Sequence, residues 1–99
     1  MKYNVLIFPT AESDILEIKE YFEKEFSISA DPLIGKFIDV IELLEDNPFM
    51  HPLVRDVHLA RKGYRLIHVD NYLVFSKIVD DTVQILRFLY GKRLYSQIL

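Results

Sequence analysis

The sequence predicts an α+β fold, in which an antiparallel sheet of four to five strands carries an N-terminal helical hairpin, in the order β-α-α-β-β-β-β. Three observations support this prediction. Apolar residues recur at helical spacing through residues 15–44. Side chains alternate with the period of a strand through much of residues 64–90. Turn signals at Asp70-Asn71 and Asp80-Asp81 divide this second region into separate short strands.

The N-terminal half predicts one strand and two helices. Residues 3–8 are rich in β-forming residues, Pro9 ends this strand, and Thr10 is the predicted N-cap of the first helix. A second helix is predicted to start near Ser29. The apolar stripes of the two helices comprise Ile15, Ile18, Phe22 and Phe26, and Leu33, Ile34, Phe37, Ile38, Ile41 and Leu44. Because the link is short, the helices should form an antiparallel hairpin packed on the sheet.

The C-terminal half predicts a meander of strands. Residues 54–59 suggest a weak edge strand, residues 63–69 and 72–78 stronger ones, and residues 82–90 a central strand covered on both faces. Leu86 and Phe88 of that strand should be almost fully buried. Arg87 interrupts this apolar pattern, and a buried arginine in the middle of a strand needs a carboxylate partner.

The length and composition limit the kinds of protein that this sequence can encode. The 99 residues suffice for one domain, spanning residues 1–99, and 51 % hydrophobic residues can fill its core. The absence of cysteine excludes a disulfide framework and a thiolate metal site. We expect a soluble, cytoplasmic protein, because no signal peptide opens the sequence and no apolar run approaches membrane-spanning length. Residues 1–50 have a charge balance of −7 and residues 51–99 a balance of +4, which suggests different roles for the two halves.

Three segments together resemble a known family. They are Gly63-Tyr64-Arg65-Leu66-Ile67, the turn and strand at residues 71–75, and residues 86–93 followed by Tyr95. Their order and spacing resemble the RelE/ParE superfamily, the toxins of type II toxin–antitoxin modules. The resemblance covers nearly the whole chain, including the N-terminal strand and the helical hairpin.

This resemblance implies a toxin that is silenced by a cognate antitoxin, which wraps the toxin and represses its own operon. RelE-like members cleave mRNA in the ribosomal A site, whereas ParE-like members poison DNA gyrase and lack the nuclease residues. The leading expectation is ribosome-dependent, metal-independent mRNA cleavage, with ribosome and mRNA as partners. The alternatives are non-enzymatic gyrase inhibition and a degenerate module that pairs with its antitoxin. A hetero-oligomer with the antitoxin is expected in each case, with no membrane partner.

The candidate catalytic residues follow from what RNA cleavage without a metal requires. Arg65 and Arg93 match the two family arginines and could stabilise the charge of the pentavalent phosphate. Tyr95 could stand for the C-terminal tyrosine that RelE-like relatives use as a base. His58 could act as base or acid, because its ordinary pKa lies near neutrality. The alternative interpretation is a half-exposed strand histidine with no catalytic role.

Further cations are candidate RNA- or phosphate-binding residues, namely Lys92, Arg87, Arg61 and Lys62. The positions at which RelE-like nucleases would place lysines hold Asp56 and His58, which weakens the expectation of strong ribosome-dependent cleavage. No metal site and no cofactor are expected, because the sequence has no metal-ligand cluster and no glycine-rich phosphate loop.

Overall fold

Seven elements form within residues 2–91, the part of the chain that the computed structural model describes. They are β1 (Asn4–Ile7), α1 (Pro9–Phe26), α2 (Asp31–Asp46), α3 (Val57–Arg61), β2 (Arg65–Val69), β3 (Tyr72–Val79) and β4 (Thr82–Tyr90). The strands form one sheet in the order β1-β4-β3-β2. No helix within residues 2–91 is long and apolar enough to cross a membrane.

The predicted α+β architecture is confirmed, and the direction of one strand is corrected. Strands β2, β3 and β4 form the expected antiparallel meander, with both predicted turns in place. Asp70 and Asp80 adopt left-handed φ values of 52° and 55° there, which Asp tolerates better than most residues. Strand β1, however, pairs in parallel with β4. The chain leaves β1 through the helices and returns much later, and no local sequence pattern specifies the direction in which distant strands pair.

The helical hairpin covers one face of the sheet. Buried residues of α1 and α2 form a single cluster with residues of β2, β3 and β4 on this hairpin face, including Ile18, Leu33, Phe37, Leu44, Ile67, Val74, Ile85 and Phe88. The Phe37 and Phe88 rings lie at its centre, with centroids 4.8 Å apart. A smaller cluster on the opposite face joins Leu59 of α3 to Phe75 and Leu89. Leu86 and Phe88 are 9 % and 3 % exposed, so their predicted burial is confirmed.

A β-bulge in β4 changes the faces that its side chains occupy. Ile85 pairs with Ser76 and Arg87 pairs with Phe75, which leaves Leu86 without a partner residue in β3. The carbonyl of Leu86 accepts a hydrogen bond of 2.9 Å from the Thr10 hydroxyl. The prediction of Thr10 as N-cap is therefore wrong. Helix α1 already begins at Pro9, and the Thr10 hydroxyl instead donates its hydrogen bond to strand β4.

The predicted edge strand at residues 54–59 is replaced by helix α3, which makes the order β-α-α-α-β-β-β. Before this helix, Leu53 forms an isolated bridge with Arg65. The carboxylate of Asp56 then accepts a hydrogen bond of 3.2 Å from the Leu59 amide, which makes Asp56 the N-cap. The apolar positions of this segment fit a strand in isolation, whereas one turn of helix lets Leu59 pack on the sheet.

Replacing Asp56 with alanine should lower the free energy of unfolding by about 1 kcal/mol, because the first turn of α3 loses its capping oxygen. Urea denaturation followed by circular dichroism would measure the change. Asp56→Ser is the matched control, since a serine hydroxyl can make the same hydrogen bond. An equal loss in both variants would contradict the capping role.

Candidate functional site

Arg65, a predicted catalytic residue, contacts the segment that follows α2. It opens β2, and because it alternates with Leu66 it faces the same side as Ile67, the hairpin face. Its Nη1 donates a hydrogen bond of 2.6 Å to the His51 carbonyl. Its guanidinium carbon lies 5.0 Å from the centroid of the Phe49 ring. These contacts hold the segment after α2 against the edge of β2.

The same segment is tied to β2 by backbone hydrogen bonds. The Val54 amide donates to the Tyr64 carbonyl at 3.0 Å, and the Leu66 amide donates to the Pro52 carbonyl at 3.1 Å. The His51 side chain is half-buried, and this burial lowers the pKa of its imidazole from the ordinary value. Arg65 therefore has a structural role at this edge, whatever further role it has with a ligand.

His58, a candidate base or acid, makes no contact with the Arg65 side chain within residues 2–91. His58 is an exposed residue of α3, and the buried Leu59 beside it packs in the cluster on the face opposite the hairpin. Arg61 ends the same helix and Lys62 follows it, both exposed. The structure thus places His58 and Arg61 on α3 and Lys62 directly after it, and none of the three contacts the Arg65 side chain within the described residues. Their predicted roles in catalysis and RNA binding stay predictions.

Arg87 has the carboxylate partner that its position in a strand requires, and the partner is Asp14 of α1. Nε and Nη2 of Arg87 donate to the two carboxylate oxygens at 2.7 and 2.9 Å. The side chains of Asp14 and Arg87 are 7 % and 21 % exposed. The hydrogen bond with Asp14 raises the pKa of the Arg87 guanidinium above its ordinary value, and burial opposes this shift. This bidentate pair supports a structural role, while the predicted phosphate contact of Arg87 stays untested.

Asp14 also accepts a backbone hydrogen bond that a neighbouring strand would otherwise accept. Strand β1 ends opposite Ile85, so β4 continues beyond it without a strand on that edge. Beyond that point the Asp14 carboxylate accepts a hydrogen bond of 2.9 Å from the Phe88 amide. Thr10 and Asp14 are one helical turn apart, and both side chains form hydrogen bonds with the backbone at the edge of β4. The position of Arg87 in a strand calls for a carboxylate partner, but the sequence alone does not identify Asp14 as that partner.

The remaining predicted site residues are Lys92, Arg93 and Tyr95, and they lie outside the described residues. Their assigned roles stay predictions. Within residues 2–91, no three His, Asp or Glu side chains converge in a way that could hold a metal ion.

An aromatic groove of about 660 Å³ lies where β4 extends past β1. Tyr21, Phe22 and Phe26 of α1 line one side, Tyr72 and Tyr90 line the sheet side, and Asp14 and Glu17 add negative charge. The rings meet edge to face, with centroids 5.5 Å apart for Tyr21 and Phe26 and 5.7 Å apart for Tyr72 and Tyr90. Tyr21 and Phe26 are 51 % and 54 % exposed. Exposed aromatic rings that line a groove are typical of a protein-binding site.

Solved structures share this fold. A chain of the chromosomal ParDE toxin–antitoxin system from P. aeruginosa superposes with a TM-score of 0.75 and 12 % identity, over 92 % of this chain and 98 % of the other. The RelBE2 complex from Mycobacterium tuberculosis gives 0.65 and 19 %, over 91 % and 99 %. The E. coli DinJ-YafQ complex gives 0.64 and 17 %, over 96 % and 99 %. Among curated protein sequences, none is significantly similar to this chain.

A match to a family model assigns the chain to a protein family. The model for the ParE toxin of the parDE type II toxin–antitoxin system matches residues 5–95, which is nearly the whole sequence. The solved structures agree with it in fold, and the short motifs around Arg65 and Arg87 had indicated the same superfamily. The chain therefore belongs to the ParE toxin family of type II toxin–antitoxin systems, within the RelE/ParE superfamily.

Proposed function

We propose that this chain is a toxin that inhibits DNA gyrase by binding it, without cleaving RNA, and that an antitoxin neutralises it. The observation that carries this proposal is the match of residues 5–95 to the model for the ParE toxin. The placement of His58 adds support. A general base must reach the proton it abstracts, at roughly 2.6–3.2 Å or through one water. His58 lies on α3, whose Leu59 packs on the face opposite the hairpin, and no contact joins His58 to the Arg65 side chain within residues 2–91.

A purified-component assay tests this proposal. The toxin should inhibit DNA supercoiling by gyrase in a concentration-dependent manner, and the cognate antitoxin should reverse the inhibition. Primer extension on translated mRNA from induced cells should show no new cleavage sites. New cleavage sites together with unaffected gyrase would refute the proposal.

Ribosome-dependent mRNA cleavage is the second candidate, and one observation favours it. The Arg65 side chain makes a single hydrogen bond with the described residues, so its guanidinium keeps donors that could contact a phosphate. Arg93 and Tyr95, which match the family motif, would then complete the site.

The variant Arg65→Ala separates the two candidates. On the gyrase proposal, inhibition should stay within several-fold of wild type, and the free energy of unfolding should fall by about 1 kcal/mol through loss of the His51 contact. On the nuclease reading, removing a donor that stabilises the phosphate costs on the order of 100- to 1000-fold in rate. The measurements are gyrase inhibition, mRNA cleavage and urea denaturation of the same preparation. Arg65→Gln is the matched control for side-chain length.

The aromatic groove is the proposed docking site for an antitoxin helix. An amphipathic helix places apolar residues at i, i+3, i+4 and i+7, and such a row fits an elongated groove lined by aromatic rings. Exposed Tyr21 and Phe26 would provide anchors on α1, and Tyr90 would provide one on β4. The structural neighbours come from toxin–antitoxin systems and complexes, which supports an antitoxin as the partner.

A further inference from the structure

A second exposed surface lies at the opposite edge of the sheet from the aromatic groove. It is formed by the segment after α2 and by α3, and we call it the basic surface. Its members are Met50, Leu53, Arg55, Val57, Arg61 and Lys62. Met50, Leu53 and Val57 are between 45 % and 62 % exposed. Such apolar exposure within one short segment is typical of an interaction site rather than of a solvated loop.

The cations of the basic surface differ from four other cations among residues 2–91 in their lack of a carboxylate partner. The side chains of Arg55, Arg61 and Lys62 make no hydrogen bond or ion pair with any residue from 2 to 91. In contrast, four cations elsewhere each pair with a carboxylate, namely Lys2, Lys24, Lys36 and Arg87. The acid within the segment, Asp56, uses its carboxylate to cap α3. The three cations are therefore available to an external partner.

The charge of this region opposes the charge of the rest of the chain. Residues 49–65 contain four Lys/Arg and one Asp, a balance of +3, whereas the whole chain has a net charge of −3. A local positive field on an acidic protein orients the molecule towards an acidic partner during encounter. The basic surface therefore combines exposed apolar side chains with a local excess of positive charge.

We propose that the basic surface is the site that binds the toxin's target, an acidic protein surface with an apolar pocket. This inference rests on the proposed function, because it assigns a surface to the contact with gyrase. The apolar members are Met50, Leu53 and Val57, which are aliphatic or thioether side chains. Single-stranded RNA is instead bound by exposed aromatic rings on which bases stack. The nearby Phe49 is 57 % exposed, and the Arg65 guanidinium lies over one face of its ring.

The basic surface and the aromatic groove lie at opposite edges of the sheet order β1-β4-β3-β2. The groove borders β4 beyond the end of β1, whereas the basic surface follows the edge of β2. Variants of one surface should therefore leave the other intact. This separation makes antitoxin binding a suitable test of folding for variants of the basic surface.

The test compares two triple variants with the same change in charge. Arg55→Glu/Arg61→Glu/Lys62→Glu alters the basic surface, and Lys2→Glu/Lys19→Glu/Lys24→Glu alters exposed lysines elsewhere. The basic-surface variant should bind purified gyrase on the order of 100-fold more weakly at low salt, mainly through slower association. The control should change binding by less than about 5-fold. The basic-surface variant should bind the antitoxin like wild type. A parallel pair, Met50→Ser/Val57→Ser and Leu16→Ser/Ile38→Ser, tests the apolar contribution.

Each outcome decides a separate question. If wild type inhibits gyrase and the basic-surface variant inhibits equally well, the surface assignment is wrong and the proposed function stands. If wild type neither binds nor inhibits gyrase, the proposed function is wrong. A basic-surface variant that keeps its circular dichroism spectrum but loses the antitoxin would assign the surface to the antitoxin instead. Loss of RNA or ribosome binding in that variant, with gyrase binding unchanged, would assign it to RNA.

Discussion

Replacing Asp14 with alanine is expected to lower the free energy of unfolding by about 3 kcal/mol, a large share of the stability of a domain of this size. The variant leaves the Arg87 guanidinium without its bidentate partner and the Phe88 amide without an acceptor. Breaking a buried ion pair typically costs about 3–5 kcal/mol, and the partial exposure of Arg87 places this case at the low end. Urea denaturation of the purified toxin would measure the loss.

Two further variants test whether the loss of stability arises from the burial of the Asp14–Arg87 ion pair. Glu20→Ala removes the exposed ion pair between Glu20 and Lys24 on the same helix and should leave stability unchanged within error. The double variant Asp14→Ala/Arg87→Ala should be less destabilised than the sum of the single variants, because neither charge is then left without its partner. Equal effects for Asp14→Ala and Glu20→Ala would show that the pair at the end of β4 is not important for stability.

The double variant Tyr21→Ser/Phe26→Ser is expected to weaken antitoxin binding by on the order of 100- to 1000-fold. Truncation of an aromatic side chain that anchors an interface typically costs about 2 kcal/mol or more, and each 1.4 kcal/mol is a factor of about 10 in affinity. Both rings are about half exposed, so their loss should disturb the core far less than the interface. Isothermal titration of the purified toxin with its antitoxin would measure the affinity.

Leu16→Ser is the matched control for this prediction. Leu16 is an exposed apolar residue on the same helix, and it does not line the aromatic groove. It should change the affinity by less than about 3-fold. An affinity that is equally reduced by Leu16→Ser, or unchanged in the groove variant, would place the antitoxin contact elsewhere on the protein.

The elements that the sequence predicted well are those with a strong local signal. Apolar stripes at helical spacing correctly located α1 and α2, and alternation between the turns at Asp70-Asn71 and Asp80-Asp81 correctly located β3 and β4. Burial of Leu86 and Phe88 followed from the same pattern. In each case the information lies within a few residues, because side-chain periodicity is a property of the local backbone. Helix α3 was missed since five residues are too few to establish a helical period.

Other features depend on residues that are far apart in the sequence. The sequence indicated that Arg87 needs a carboxylate, but the choice of Asp14, 73 residues away, depends on how α1 lies along the edge of β4. The parallel pairing of β1 and the bulge at Leu86 likewise depend on strand register. The sequence placed Arg65 and His58 on neighbouring segments as possible catalytic partners. Only the tertiary structure determined that Arg65 of β2 faces the hairpin, whereas Leu59 beside His58 packs on the opposite face.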